Sequence, residues 1–219
     1  MLIVESKDEF INHEGALNMK RFSAVILAAG VSKRLGFNKL TLKINRESVI
    51  RKAVLPFISA GIGRIFIVTG IQSQDIHEGL AGCAVEFIEN KDCALGMSSS
   101  VKASLPFITD EEGVFFHLGD KPFLEKEMIF NMIDMYRLSR EKIIVPVFNG
   151  EKGHPVLMDV SLYSEEIKSL QGDKGLREII EKHTEDVIFI KGNEGSLYDI
   201  DTTEDVERLK ERGYIIEKG

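Results

Sequence analysis

Residues Ala24–Leu40 read AVILAAGVSKRLGFNKL, and the reading of this stretch decides the fold. A short apolar strand, Ala24–Leu27, empties into Ala28-Ala29-Gly30-Val31-Ser32. Two cations follow at Arg34 and Lys39, with Gly36 between them. Small residues let the backbone come close to a ligand, and glycine takes φ > 0 freely, so successive N–H groups can face one concavity. Such a nest prefers an anion, and Arg34 and Lys39 add formal positive charge beside it. The stretch therefore reads as a polyphosphate cradle at the carboxyl end of a first β-strand. It is neither of the two commonest phosphate loops. Five residues separate Gly30 from Gly36 and Phe37 follows, which breaks G-x-x-x-x-G-K-[ST], and no G-x-G-x-x-G opens a helix elsewhere.

Working outward, a chain of 219 residues fits one domain, or one domain with a small lobe. Its 43% hydrophobic and 29% charged content is globular. A net charge of −7 argues against nucleic acid as a partner, since such binding usually needs a basic face. No apolar run approaches the ~20 residues of a membrane span, and no secretory signal opens the chain. Cys83 and Cys93 are too few for a disulfide framework or a Cys-rich metal site. The expectation is a soluble cytoplasmic protein with no membrane partner.

Apolar spacing predicts strands at Ala24–Leu27, Ile65–Thr69, Ala84–Ile88, Val114–Leu118 and Ile143–Phe148. Helices are predicted at Val49–Ala60 (with Pro56 as a kink), Ser73–Leu80, Ser98–Leu105 and Glu125–Leu138. This alternation predicts a parallel sheet covered on both faces, with ligands at the carboxyl ends of strands. The last third reads as strands at Pro155–Met158, Val187–Ile190 and Leu197–Ile200, and helices at Leu162–Leu170, Gly175–His183 and Thr203–Arg212. Thr202 or Thr203 is the expected N-cap of the final helix, with Glu204 and Asp205 at its positive end. Residues 1–18, acidic and polar, read as an extension of unknown role, and 19–219 as one domain.

Four further segments carry chemistry. Asp120, in Leu118-Gly119-Asp120-Lys121-Pro122, follows an apolar strand directly, so its carboxylate projects into the ligand crevice. A strand-to-turn Asp is common by itself, but Asp199-Ile200-Asp201 repeats the setting, and strand alternation puts both aspartates on one face. Two carboxylates from two strand ends suit Mg²⁺, a hard cation that takes oxygen ligands and keeps phosphate oxygens and waters. In nucleotidyl transfer that ion bridges phosphates and stabilises the leaving pyrophosphate. The stretch Glu89–Val101, ENKDCALGMSSSV, offers Gly96 and three serines at a helix start, suited to a base edge or ribose, or merely to capping the helix. Gly150–Leu157 carries His154 between Gly153 and Pro155, an exposed turn by its neighbours. Gln171–Arg177 carries a Gly-Asp-Lys-Gly turn.

The spacing L-A-A-G-x-S-x-R-[ML]-G-x-x-K resembles the opening signature of the MobA-like nucleotidyltransferases, and within them the molybdenum cofactor cytidylyltransferases. The likeness spans roughly Phe22 to Gly213, and it implies that within the 19–219 domain about 22–148 is the nucleotide part and about 149–213 the acceptor part. It implies a three-layer, Rossmann-like α/β fold with a mostly parallel sheet, and Mg²⁺-dependent transfer of CMP from CTP to the terminal phosphate of molybdopterin or molybdenum cofactor. The recipients of such a product would be molybdenum hydroxylase apoenzymes. It also implies catalytic roles for Arg34, Lys39, Asp120 and Asp201, the two aspartates as metal ligands. The nucleotide-binding set is Leu27, Ala28, Ala29, Gly30, Ser32, Arg34, Lys39, Thr69, Asn90, Gly96, Ser98 and Ser99. Lys152 and His154, in a segment resembling G-x-x-G-H-P-V-L, and Arg177, in one resembling G-D-x-G-x-R, are assigned to the acceptor. L-A-A-G with G-M-S-S-S looks like the cytidylyl branch, whereas guanylyl relatives tend to carry L-A-G-G and G-P-L-A-G. Leu35 stands where methionine is commoner, Lys121 where relatives often have Gln, and Met158 where an aromatic is frequent. Two alternatives stay open: another phosphate acceptor (a sugar, polyol or isoprenoid precursor), or a non-catalytic protein that binds and delivers a cofactor.

Overall fold

The computed structural model describes residues 3–4, 19–30, 35, 37–71, 73–108 and 110–218. Its centre is a nine-stranded sheet: β1 (Ile3–Val4), β2 (Phe22–Ala28), β5 (Arg64–Thr69), β6 (Glu86–Glu89), β7 (Gly113–Leu118), β8 (Ile143–Phe148), β9 (Glu151–Lys152), β10 (Val156–Met158) and β11 (Val187–Lys191). The strand order is β1-β11-β8-β10-β7-β2-β5-β6, with β9 paired to β8. Every pairing along the main path is parallel except those of β10, which runs antiparallel between β7 and β8. The expected mostly parallel α/β sheet is what forms.

Period-2 alternation splits the strands between two cores. Ala24, Ile26, Ile67 and Phe115 face one side, covered by α1 (Val49–Ser59), α2 (Gln74–Gly79) and α4 (Lys126–Leu138). Val25, Phe66, Val68, Val114 and Phe116 face the other, covered by α3 (Met97–Ser104), α5 (Val160–Ser169) and α6 (Arg177–Lys182). Helices on both faces make three layers. Pro56 sits inside α1 without ending it, because it lies in the last turn.

One expectation needs correction. Leu197–Ile200 is not a strand: a short helix, α7 (Glu194–Leu197), is followed by an irregular run into α8 (Thr203–Glu211). Ile200 is still fully buried with half-buried Asp199 and Asp201 on either side, so the alternation survives without the sheet. Thr202 caps α8 in a capping box with Asp205, as its position predicts. Of the N-terminal extension, Ile3 and Val4 are described, and they pair with Phe189 and Ile190 at the sheet edge. Three strands of only two residues each, β3 (Lys43–Ile44), β4 (Glu47–Ser48) and β12 (Ile216–Glu217), escape the apolar pattern and form a small sheet in the order β12-β3-β4. Asn45 and Arg46 turn β3 into β4 with φ of 52° and 73°, the mirror-image geometry that fits strand twist.

Candidate active site

The carboxyl ends of β2 and β7 lie side by side, and the Gly119 amide donates to the Leu27 carbonyl at 3.0 Å. A side chain at Gly119 would press to 2.9 Å from Ile50 Cδ1 and 3.3 Å from that carbonyl, so glycine lets the two ends close up. Asp120 follows at the crevice. The Ile200 amide donates to the Asp120 carbonyl at 3.3 Å, which brings Asp201 alongside although 81 residues separate the two aspartates in sequence. The Asp201 backbone is held in turn by the Asp205 carboxylate at 3.0 Å.

Lys39 opens a short 3₁₀ turn (Lys39–Thr41) capped by the Asn38 side chain, and its ammonium bonds both Asp120 Oδ2 and Asp201 Oδ1. Burial alone would lower the lysine's pKa, but the two carboxylates outweigh it and hold the ammonium above its ordinary value. The other oxygen, Asp120 Oδ1, is buried and finds no hydrogen-bond partner among the described residues. An orphaned carboxylate oxygen beside a second carboxylate is a hard-oxygen donor set, and it fits a divalent cation.

These groups sit at one end of a cleft of about 500 Å³ lined by Leu27, Ala28, Ala29, Gly30, Lys39, Gly96, Ser100, Asp120 and Asp201 among others. A second cavity of about 390 Å³ adjoins it, lined by Lys152, Gly153, His154, Lys174, Arg177 and apolar side chains from both sheet and helices. Leu27, Met97, Leu118 and Asp173 line both. The three expected acceptor residues therefore share one pocket, next door to Leu27, Ala28, Ala29, Gly30, Lys39 and Gly96 of the expected nucleotide set.

His154 is not on an exposed turn. Gly153 is buried and hydrogen-bonded to Pro146, and the His154 amide donates to the Ser196 carbonyl at 2.8 Å, which seats the ring in the pocket wall. Burial pulls the imidazole down to about 4, with Lys121 adding to the effect, so it is neutral at pH 7. Behind it, 6.5 Å away ring to ring, His117 is fully buried and pulled down to about 3 by burial and by His154. A carbonyl can only accept, so the His117 contact with the Lys121 carbonyl at 3.0 Å requires Nε2–H, which leaves Nδ1 without a partner among the described residues. The Lys121 side chain is buried, donates to the Leu197 carbonyl, and lies 3.9 Å from Asp199. Asp199 thus faces Lys121 rather than joining the Lys39 pair.

Part of the expected nucleotide set is turned away from the cleft. Asn90 is buried and donates to Ser99 Oγ at 2.8 Å and Ser100 Oγ at 3.0 Å, while Ser99 donates to the Gly96 carbonyl at 2.7 Å. Thr69 is buried at the end of β5, and its carbonyl holds the Asn90 amide. Ser98 Oγ accepts from the Gly175 amide at 3.2 Å. None of Thr69, Asn90, Ser98 or Ser99 lines the cleft; Ser100 does. Ser32 and Arg34 lie outside the described residues. Sequence reasoning passed over Asp173, although its Gly-Asp-Lys-Gly turn was the available signal.

Among the described residues, no helix is long and apolar enough to cross a membrane. Residues 24–187 match the MobA-like NTP transferase domain family. The chain is 31% identical over 198 residues to the molybdenum cofactor cytidylyltransferase of Escherichia coli (strain K12), covering 89% of this chain and 98% of that protein. It is 32% identical over 130 residues to a probable molybdenum cofactor guanylyltransferase of Natranaerobius thermophilus, covering 58% and 61%. The solved structure of the Rv0371c homolog from Mycobacterium sp. strain JC1 superposes with a TM-score of 0.77 at 26% identity, over 88% of this chain and 96% of that one.

Proposed function

The chain belongs to the MobA-like NTP transferase family and is a nucleotidyltransferase; on that premise we propose that it transfers CMP from CTP to the terminal phosphate of molybdopterin or molybdenum cofactor. An oxygen of the acceptor phosphate attacks the α-phosphorus of CTP, the bond to the bridging oxygen of the β-phosphate breaks, and pyrophosphate leaves with that electron pair. The observation that carries the reading is the pair of adjoining cavities, one with Lys39, Asp120 and Asp201, the other with Lys152, His154 and Arg177.

The chain's own contribution is positioning and electrostatics, since phosphoryl transfer between phosphates needs no protein nucleophile. Ala28, Ala29 and Gly30 bring backbone close to the triphosphate, and Lys39 meets its charge, as would Ser32 and Arg34 beyond the described residues. Lys152 and Arg177 attract the acceptor's phosphate. Neutral His154 orients it by a hydrogen bond without adding charge. Asp120 and Asp201 would hold Mg²⁺, which when bound neutralises phosphate charge and polarises the phosphoryl group. The product would pass to a molybdenum hydroxylase apoenzyme.

Ala29 supports CTP over GTP: it lines the cleft and carries a methyl group where guanylyl relatives tend to have glycine, and Ser100 lines the same space. A narrower pocket favours the pyrimidine, and a purine would clash or leave polar groups unpaired. Pyrophosphate release is measured with CTP and with GTP against molybdopterin as acceptor. The expected preference for CTP is at least about 10-fold in kcat/KM, about 1.4 kcal/mol. Equal rates or a GTP preference overturns the cytidylyl assignment. Release that requires a sugar or polyol phosphate overturns the acceptor.

A further inference from the structure

The wall shared by the two cavities is built in an unusual way. Helix α3 begins at Met97 after Gly96, whose φ of 96° and missing side chain leave the helix start without a side-chain cap. The first amides of a helix have no partner within it and must find one elsewhere. Here the acceptor-side loop supplies them. The Met97 amide donates to Asp173 Oδ1 at 3.2 Å and the Ser98 amide to the Gly172 carbonyl at 3.0 Å. Ser98 Oγ returns the contact by accepting the Gly175 amide. Packing is as tight as the bonding, because a Cβ on Gly96 would lie 2.5 Å from Asp173 Oδ1 and 2.6 Å from the Gly172 backbone.

Gly96 lines the nucleotide cleft, Lys174 and Arg177 line the acceptor pocket, and Met97 and Asp173 line both. Ser98 is buried in the clasp and lines neither. We propose that this clasp is a positioning device that couples the two substrate pockets. Nucleotide bound against Gly96–Met97 orders the start of α3, and Ser98 and Asp173 pass that order to Gly172–Arg177, completing the acceptor pocket. The first ligand bears the entropic cost of ordering, so the second binds more tightly. The proposal rests on the nucleotidyltransferase reading of these cavities.

Hydrogen exchange of the full chain, with and without CTP and Mg²⁺, tests it. In the wild type, CTP should slow exchange at residues 27–30 and 96–101 and also slow residues 172–177 by about tenfold, near the low end of ordinary two-site coupling. Ser98→Ala should keep the first two effects and lose the third. Because Ser98 does not line either cavity, direct contact of CTP with the loop would survive that change, and its survival would overturn the proposal. Ser98→Gly, which removes the same hydroxyl and touches neither cavity, should behave like Ser98→Ala and serves if that variant does not fold. Ser98→Thr, which keeps a hydroxyl for the Gly175 amide, should restore the slowing. Wild-type slowing confined to 27–30 and 96–101 overturns the coupling alone. No slowing at 27–30 overturns the nucleotide reading beneath it.

Discussion

His117 gives a prediction whose size follows from the structure. The ring is fully buried on β7, three residues before Asp120, and its pKa is pulled down to about 3. In the unfolded chain a histidine titrates near 6.5. Below that value the unfolded state takes up a proton that the folded state refuses, so stability is complete above about pH 6.5 and falls as the pH drops toward 3. At pH 5 the loss from this ring alone is about 2 kcal/mol relative to pH 7.5. His117→Phe fills nearly the same volume, removes the titration and abolishes the unpartnered Nδ1. It also leaves the Lys121 carbonyl without its donor, at a pH-independent cost of about 1–3 kcal/mol. Urea unfolding of both proteins at pH 7.5 and pH 5 separates the two effects. The wild type should lose about 2 kcal/mol more than the variant over that interval, because carboxylates titrate alike in both. Parallel losses would refute the claim that His117 is held neutral by burial.

The other predictions concern the two pockets and the sheet edge. Asp120→Ala or Asp201→Ala should abolish transfer while the protein stays folded, since each carboxylate lies at the crevice rather than in the core; wild-type turnover with Mg²⁺ in either variant would remove it from the metal set. Lys39→Ala should raise the KM for CTP and lower kcat together, because triphosphate charge grows toward the leaving group, and an unchanged kcat/KM would reduce Lys39 to a structural cation. Gly153→Ala would place its methyl 2.7 Å from the Ser196 carbonyl, and should cost about 1–3 kcal/mol of stability and raise the acceptor KM with the CTP KM unchanged, as steady-state kinetics and thermal melts will show. Removing residues 1–18 strips Ile3–Val4 from β11 and should lower Tm by about 2–4 °C with activity kept, if the pairing is worth about 1 kcal/mol; an unchanged melt would show that it contributes nothing.

The sequence by itself determined the first strand and the small residues at its carboxyl end, the strand–helix alternation, and carboxylates at the ends of elements. These are local properties: apolar period, turn residues and caps are written within ten or so neighbours, and the capping box at Thr202 and Asp205 is legible for the same reason. The tertiary structure alone decided which of those pieces meet. Lys39 reaches Asp120 across 81 residues and Asp201 across 162, and no local pattern encodes such a meeting. The antiparallel β10, the edge pairing of Ile3–Val4 and the burial of His154 likewise depend on strand order, which long-range packing selects. Ser98 shows the limit most clearly. A serine at a helix start can face a ligand or bond a neighbouring loop with the same local conformation, and it turns inward here because Gly172–Gly175, some 75 residues on, arrives to satisfy α3's unpaired amides.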